Sequence, residues 1–325
     1  FNQPLYLDEG AHTIEISAGN LMDKTSRKRI KIFVDKSGPL ISITRIKPGK
    51  DIFGYLNDKS GIAPLIELMT LLKAQNIAHR PLELIFTTCE EVGLLGAKAL
   101  DPKDITAPFG YALDSNGIDK VIIGAPAANR IRIDVRGTAA HAGMNPEAGV
   151  SAFLVAAYAI TKLRLGRIDE ESTANIGILK GGVATNIIPE HLMIRGEIRS
   201  HSMEKLARYT KEMKAAFKET AADWPVDDEE KRPVVEFEVE SDYPVMRLSK
   251  EDEVTQTVLE AGNKLGRDIS LVIAGGGSDA NIYNGYGLPT AIIATGMDLV
   301  HTTNEQLDLN DMVSLTELLY IIATE

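Results

Sequence analysis

Apolar and polar residues alternate at period two near the start of the chain, in "AHTIEISA" (11–18) and "RKRIKIFVD" (27–35), with the turn-rich "GNLMDKTS" between them. That period predicts antiparallel strands. "KSGPLISI" (36–43) starts a third strand, so residues 1–44 read as one short β segment. From about residue 52 the pattern changes to that of an α/β protein. "SGIAPLIELMTLLKAQ" sets Ile62, Leu65, Ile66, Met69 and Leu72 on one helical stripe, and "PLELIFTT" (81–88) follows as a buried strand. A second strand, "FGYALDS", ends at Asp114. Alternation of strand, helix and strand predicts an α/β fold, a mixed, mostly parallel sheet with helices on both faces.

A separate unit occupies residues 128–241. "RIRIDVRG" reads as a strand, 147–164 as a helix, "TANIGILKGG" and "HLMIRGEIRS" as strands, 203–222 as a helix and "VVEFEVE" as a strand. The order βαββαβ predicts a ferredoxin-like α+β insert. The α/β pattern then resumes, with a helix over 252–265, strand "SLVIAGGG", helix "DANIYNG", strand "PTAIIAT" and a last helix after Asn310. The simplest organisation is one α/β domain, 45–127 and 242–325, interrupted by a lid at 128–241.

Composition narrows the function classes. A formal net charge of -11 over 325 residues disfavours nucleic acid or an anionic membrane as the main partner. A small molecule or peptide fits better. The single cysteine, Cys89, rules out an internal disulfide, and no run of about 18 apolar residues marks a membrane span. No signal pattern is seen, although the chain starts at Phe1 and not at Met, and the expected compartment is the cytoplasm.

Candidate chemistry gathers where strands of the α/β part end: "LNDKSG" (56–61), "EE" at Glu90 and Glu91, "LDS" at Asp114, and "VHTTNE" (300–305). Two adjacent acids after a strand read in two ways. They open a helix, where carboxylates suit the positive end of the dipole. Alternatively, one is a general base and its neighbour a metal ligand, provided that other ligands converge on them.

The motifs "FTTCEEVGLLGAKALD", "AAHAGMNPEAGVSA", "GGVATNIIPEHLMIRGEIRSH", "GGGSDANIYNGYGLP" and "VHTTNE" resemble those of the co-catalytic dinuclear zinc exopeptidases and deacylases, in particular the peptidase T-like proteins. The resemblance covers roughly residues 52–325. It implies a zinc exopeptidase of the tripeptide aminopeptidase type, acting on short peptides and dimerising through its lid. By the same resemblance Glu90 is the general base. Glu91 and His301 are ligands of one zinc, and Asp114 is a ligand of the other. His141 reaches from one subunit into the site of the next to stabilise the oxyanion, while Asn186, Arg199, Gly276 and Ser278 bind substrate. Residues 1–44 resemble the final strands of bacterial immunoglobulin-like surface modules, which would suggest the cell surface instead.

Two departures stand out. The family's His-x-Asp motif has no counterpart, and Asn57 stands where the family has its bridging aspartate. An amide offers one neutral oxygen where a carboxylate offers two charged ones. The expectation is therefore one zinc or fewer and little turnover in the chain as it stands. The alternative is a catalytically impaired fragment or fusion acting as a binding or scaffold protein.

Overall fold

The structure, a computed structural model, describes residues 10–19, 25–34, 40–44, 57–300, 302 and 304–325, with side chains from Ser60 onward. In chain order the strands β1 (Gly10–Gly19), β2 (Thr25–Val34) and β3 (Leu40–Thr44) lead to helix α1 (Asn57–Ala74), strand β4 (Glu83–Thr87), helix α2 (Leu95–Ala99), and strands β5 (Gly110–Leu113) and β6 (Lys120–Ala125). Next come β7 (Ala127–Arg136), α3 (Ala152–Thr161), β8 (Gly166–Asp169), β9 (Ser172–Gly181), β10 (His191–Ser200), α4 (Met203–Ala222), β11 (Val234–Tyr243) and β12 (Met246–Arg247). The chain closes with α5 (Glu253–Lys264), β13 (Ser270–Ile273), α6 (Asp279–Gly285), β14 (Thr290–Ile293), β15 (Met297–Asp298), β16 (Gln306–Leu307) and α7 (Leu309–Thr324). It divides into two compact units, one of residues 1–123, 248–273 and 278–325, the other of 124–247 and 274–277. The second unit therefore extends past the predicted lid, 128–241, at both ends.

In the first unit one sheet runs in the order β6-β14-β5-β3-β4, and β13 also pairs with β6. Pairings β3 with β4, β3 with β5 and β14 with β5 are parallel, while β14 with β6 is antiparallel. The sheet is mixed and mostly parallel, as the alternation of elements predicts. Both its faces are covered, because β5 and β14 are buried at every position. Tyr111, Leu113, Ala291 and Ile293 share a core with Leu65, Leu68 and Leu72 of α1, Val254 and Val258 of α5, and Leu315, Leu318 and Leu319 of α7. Successive strand residues face opposite ways. Ala112 and Ile292 thus look to the other side, where α6 packs against β5 and β14. The α1 stripe differs from expectation by one position: Leu68 is fully buried and Ile66 is 55% exposed.

Residues 40–44 correct the predicted segmentation. Leu40–Thr44 do not belong with the leading β segment but lie in the main sheet, in parallel register between β4 and β5. A five-residue apolar run carries no mark of its partner, so pattern alone assigned it to the preceding strands. Strands β1 and β2 form an antiparallel two-stranded sheet of their own, from Gly10 opposite Val34 to Gly19 opposite Thr25. The described residues show that hairpin and nothing further of an immunoglobulin-like module.

The second unit is an antiparallel sheet in the order β11-β7-β10-β9-β8. Leaving aside the short edge strand β8, this is the strand order of a ferredoxin-like βαββαβ fold. Helix α4 starts at the N-cap Ser202, whose hydroxyl accepts from the Lys205 amide, and buries Leu206, Tyr209, Met213, Ala216 and Phe217. Those positions recur at helical spacing, so one face meets the sheet. Val155, Ala156 and Ala159 of α3 join that face against Ile131, Ile133, Val135, Ile194 and Ile198. Burying Phe217 completely contributes about 2 to 3 kcal/mol. Gly124 and Ala125 pair with Arg247 and Met246 of β12 at the base of this unit.

Candidate active site

Strand β4 ends at Thr87, and the chain then turns sharply. Cys89 and Leu94 take positive φ of 61° and 57°, and the amides of Gly93 and Leu94 both donate to the Glu90 carbonyl at 3.0 and 2.8 Å. The Leu95 and Gly96 amides donate to the carbonyls of Cys89 and Thr88. Gly96 is a steric requirement: a Cβ there would stand 2.5 Å from the Thr88 carbonyl oxygen and 2.6 Å from its nitrogen. This wrapped turn holds Glu90, half-buried, and Glu91, exposed. The helix-opening reading of the acid pair fails here. Helix α2 starts only at Leu95, with Leu94 at the N-cap and no acid in its first turn.

Asp114 follows β5 directly and is half-buried. Several contacts draw the neighbouring chain ends to the same sheet edge. Ser60 of α1 donates to Thr295 Oγ1 at 2.8 Å, just beyond β14, and the Thr295 amide donates to the Ser115 carbonyl at 2.9 Å. A Cβ on Gly61 would lie 3.0 Å from Leu113 Cβ, so α1 begins against the end of β5. The start of α1 and the ends of β5 and β14 are thus tied together. In an open α/β sheet this carboxyl edge is where ligands bind.

Asn57 is the first residue of α1, but its side chain lies outside the described residues, and so does His301. Carboxylate oxygens such as those of Glu90, Glu91 and Asp114 are suitable donors for a divalent cation. Among the described residues, no three His, Cys, Asp or Glu side chains stand close enough to hold one. The acids present fit the chemistry of a metal site in part, and the remaining ligands predicted from the sequence fall on the residues not described.

The second unit carries the other predicted residues in two places. His141 forms an isolated bridge with Ile187, and the Ala142 amide donates to the Asn186 carbonyl at 2.9 Å, which makes His141 and Asn186 neighbours. Both are exposed. His141 Nδ1 accepts from the amides of Gly143 and Met144 at 3.1 and 3.2 Å. An imidazole accepting at one nitrogen carries its proton on the other, so Nε2 is left as the donor.

Arg199 is held by Glu197, Nη2 to Oε2 at 3.0 Å, and its Nη1 stands 3.5 Å from where a Cβ on Gly276 would be. Its Nε is buried without a hydrogen-bond partner among the described residues. Gly277 packs on the ring of Tyr243, where any Cβ would come within 2.2 Å of the ring, and burial raises the Tyr243 hydroxyl above its usual range. Ser278 is buried with both groups engaged: its hydroxyl caps α6 by accepting from the Ala280 amide, and its own amide donates to Asn281 Oδ1. Its side chain is a helix cap and is not presented to a ligand.

Sequence reasoning missed Thr87, Tyr243 and Asp279. Asp279, fully buried, accepts from the Thr87 hydroxyl at 2.6 Å, and burial pushes its carboxyl up to about 6. The signal in "GGGSDANIY" is ambiguous, since an acid just after a Ser cap reads as an ordinary first-turn residue.

Residues 124–225 match the peptidase dimerisation domain family and residues 43–118 match peptidase family M28. The chain is 43% identical over 278 residues to the uncharacterised protein YqjE of Bacillus subtilis, covering 85% of this chain and 73% of that one. It is 25% identical to peptidase T of Shouchella clausii, where it spans 64% of the relative's length and the match takes in 82% of this chain. Among solved structures it is similar to the aminopeptidase PepT from Bacillus cereus, with 36% identity, a TM-score of 0.77, and coverage of 97% of this chain and 84% of that one. A tripeptidase from Staphylococcus aureus gives 30% identity, a TM-score of 0.79 and coverage of 96% and 83%. With an ordered acid turn at the carboxyl edge of a mixed sheet and a ferredoxin-like insert of the dimerisation type, the chain belongs to the peptidase T-like metallopeptidases.

Proposed function

We propose that this metallopeptidase removes the N-terminal residue from short peptides, tripeptides foremost, using zinc held by Glu91, Asp114 and His301 with the Asn57 oxygen. A metal ion held there would polarise the scissile carbonyl and acidify a water. Glu90 would accept a proton from the attacking water and pass it to the leaving amine. Arg199 grips the peptide carboxylate, since a guanidinium offers parallel N–H donors, and the backbone at Gly276 is open enough to approach it. Asn186 binds the substrate amide. His141 Nε2 donates to the oxyanion in the partner subunit's site. The observation that carries the reading is the wrapped turn that places Glu90 and Glu91 past β4 without making them part of a helix.

The lid offers a surface for the homodimer this requires. β8 pairs with β9 only as far as Ala174, the later residues Ile178 and Leu179 are exposed, and Phe153, Leu154 and Tyr158 of α3 are exposed as well. The proposed compartment is the cytoplasm, in keeping with an exposed, unpaired thiol at Cys89. Two substitutions separate the roles of the adjacent acids. Glu90→Gln should keep metal binding and lower turnover by about 100-fold or more, whereas Glu91→Ala should release metal. Metal lost in Glu90→Gln and kept in Glu91→Ala would reverse the assignment.

A further inference from the structure

We infer that Asp279 is a positioning residue for the acid turn: from the first turn of α6 it fixes Thr87, the last residue of β4, and through it the direction in which Glu90 and Glu91 leave the sheet. The inference rests on that turn being the catalytic one. On its far side the turn is held by the Gly93 to Gly96 amides donating to the carbonyls of residues 88–90. On its strand side the Thr87 hydroxyl donates to Asp279 Oδ2 at 2.6 Å. Thr87 is 5% exposed and Asp279 is fully buried, so water does not substitute for either partner.

The rest of α6 is built to hold this carboxyl still. Ser278 and Asn281 form a reciprocal capping box around Asp279, fixing the helix's first turn. At the other end, the Tyr286 hydroxyl donates to the Lys98 carbonyl at 3.2 Å, so α6 also secures α2, which follows the acid turn. The loop from Thr88 to Leu94 is thereby clamped at both its ends by a single short helix. Asp279 Oδ1 is buried with no hydrogen-bond partner among the described residues. A purely structural acceptor could be an amide or a hydroxyl without that penalty. Its retention here, three residues before Glu90 through Thr87, is accounted for by aiming the turn.

Cys89, the only cysteine and exposed, sits inside the turn next to Glu90 and reports its geometry without reference to activity. In the full chain, the rate at which a chromogenic disulfide reagent modifies Cys89 should rise severalfold in Asp279→Ala and equally in the isosteric Thr87→Val. The double variant should go no further, because both changes remove one contact. Thr87→Ser and Asp279→Asn, which keep the hydrogen bond, should stay close to the parent. Where hydrolysis is measured, the two disrupting variants should lower kcat by about 10-fold and leave KM within about twofold. An unchanged thiol rate in both single variants, or effects that add in the double, would overturn the inference. If the parent hydrolyses no peptide, the catalytic reading of the turn fails, and the thiol rates still decide whether Asp279 positions it.

Discussion

The two units treat a buried carboxylate in opposite ways. In the ferredoxin-like unit, Asp134 receives Arg132 Nε at 2.7 Å and His191 Nε2 at 2.8 Å, and Asp242 receives Arg130 Nε at 2.7 Å. Burial works to raise Asp134, but these hydrogen bonds and the Arg132 charge outweigh it and hold the carboxyl below its usual range. In the α/β unit, Asp279 is more deeply buried, and among the described residues its side chain meets the neutral Thr87 hydroxyl. Desolvation wins there, with Thr87 and the more distant Lys98 only moderating it, and the carboxyl rises to about 6. A paired acid supports the fold. An acid left desolvated beside the turn proposed to be catalytic burdens the fold, and perturbed groups of that kind are often found at sites shaped for function.

The largest expected effect tests whether the lid's core stands on its own. Phe217→Ala removes a fully buried ring and should destabilise the second unit by about 3 to 5 kcal/mol. Hydrogen exchange should then quicken in β7 and β10 and not in β5 or β14. Equal loss of protection in both units would show a single cooperative core and would blur the comparison.

Next in size is the pH dependence of Asp279. A carboxyl raised from 3.8 to about 6 on folding holds its proton longer in the folded state, so stability is full below the unfolded value and falls as pH rises between the two. The difference corresponds to roughly 3 kcal/mol. Relative to the parent, Asp279→Asn should therefore gain stability between pH 4 and pH 8 by about that amount, as read from urea midpoints. A difference that does not vary with pH would mean that Asp279 is not desolvated.

The smallest effect has the opposite sign. Asp134 is depressed, so its contribution is present above the unfolded value and is lost as pH falls through the folded one. Arg132→Met should lower the stability of the second unit slightly at pH 8, because the guanidinium is half-exposed, and the loss should vanish at low pH where Asp134 is protonated with or without its partner.

Some of this was legible in the sequence. The strand His191–Ser200 coincides with the stretch "HLMIRGEIRS" read as a strand, because β10 is a central strand with one face on the helices and one on solvent. Helix 203–222 is equally plain, from its apolar stripe and serine cap. Strand β6 escaped notice, since "KVIIGA" is a short apolar run with no alternation to separate it from a loop or a helix. Leu40–Thr44 was placed with the wrong neighbours for the same reason. At the site, the acid pair and Asp114 were read from their places after strands. The Thr87 to Asp279 contact spans 192 positions and joins two residues that are each ordinary in their own segment. Only the fold brings them together.

The most direct test of the central claim is the release of the N-terminal residue from a tripeptide by the purified full chain in the presence of zinc, measured for the parent, Asn57→Asp and Glu90→Gln. Slow hydrolysis that is stopped by a chelator, raised in Asn57→Asp and lost in Glu90→Gln is the predicted result. Hydrolysis indifferent to chelation or to Glu90→Gln, or none even in Asn57→Asp, would contradict the account.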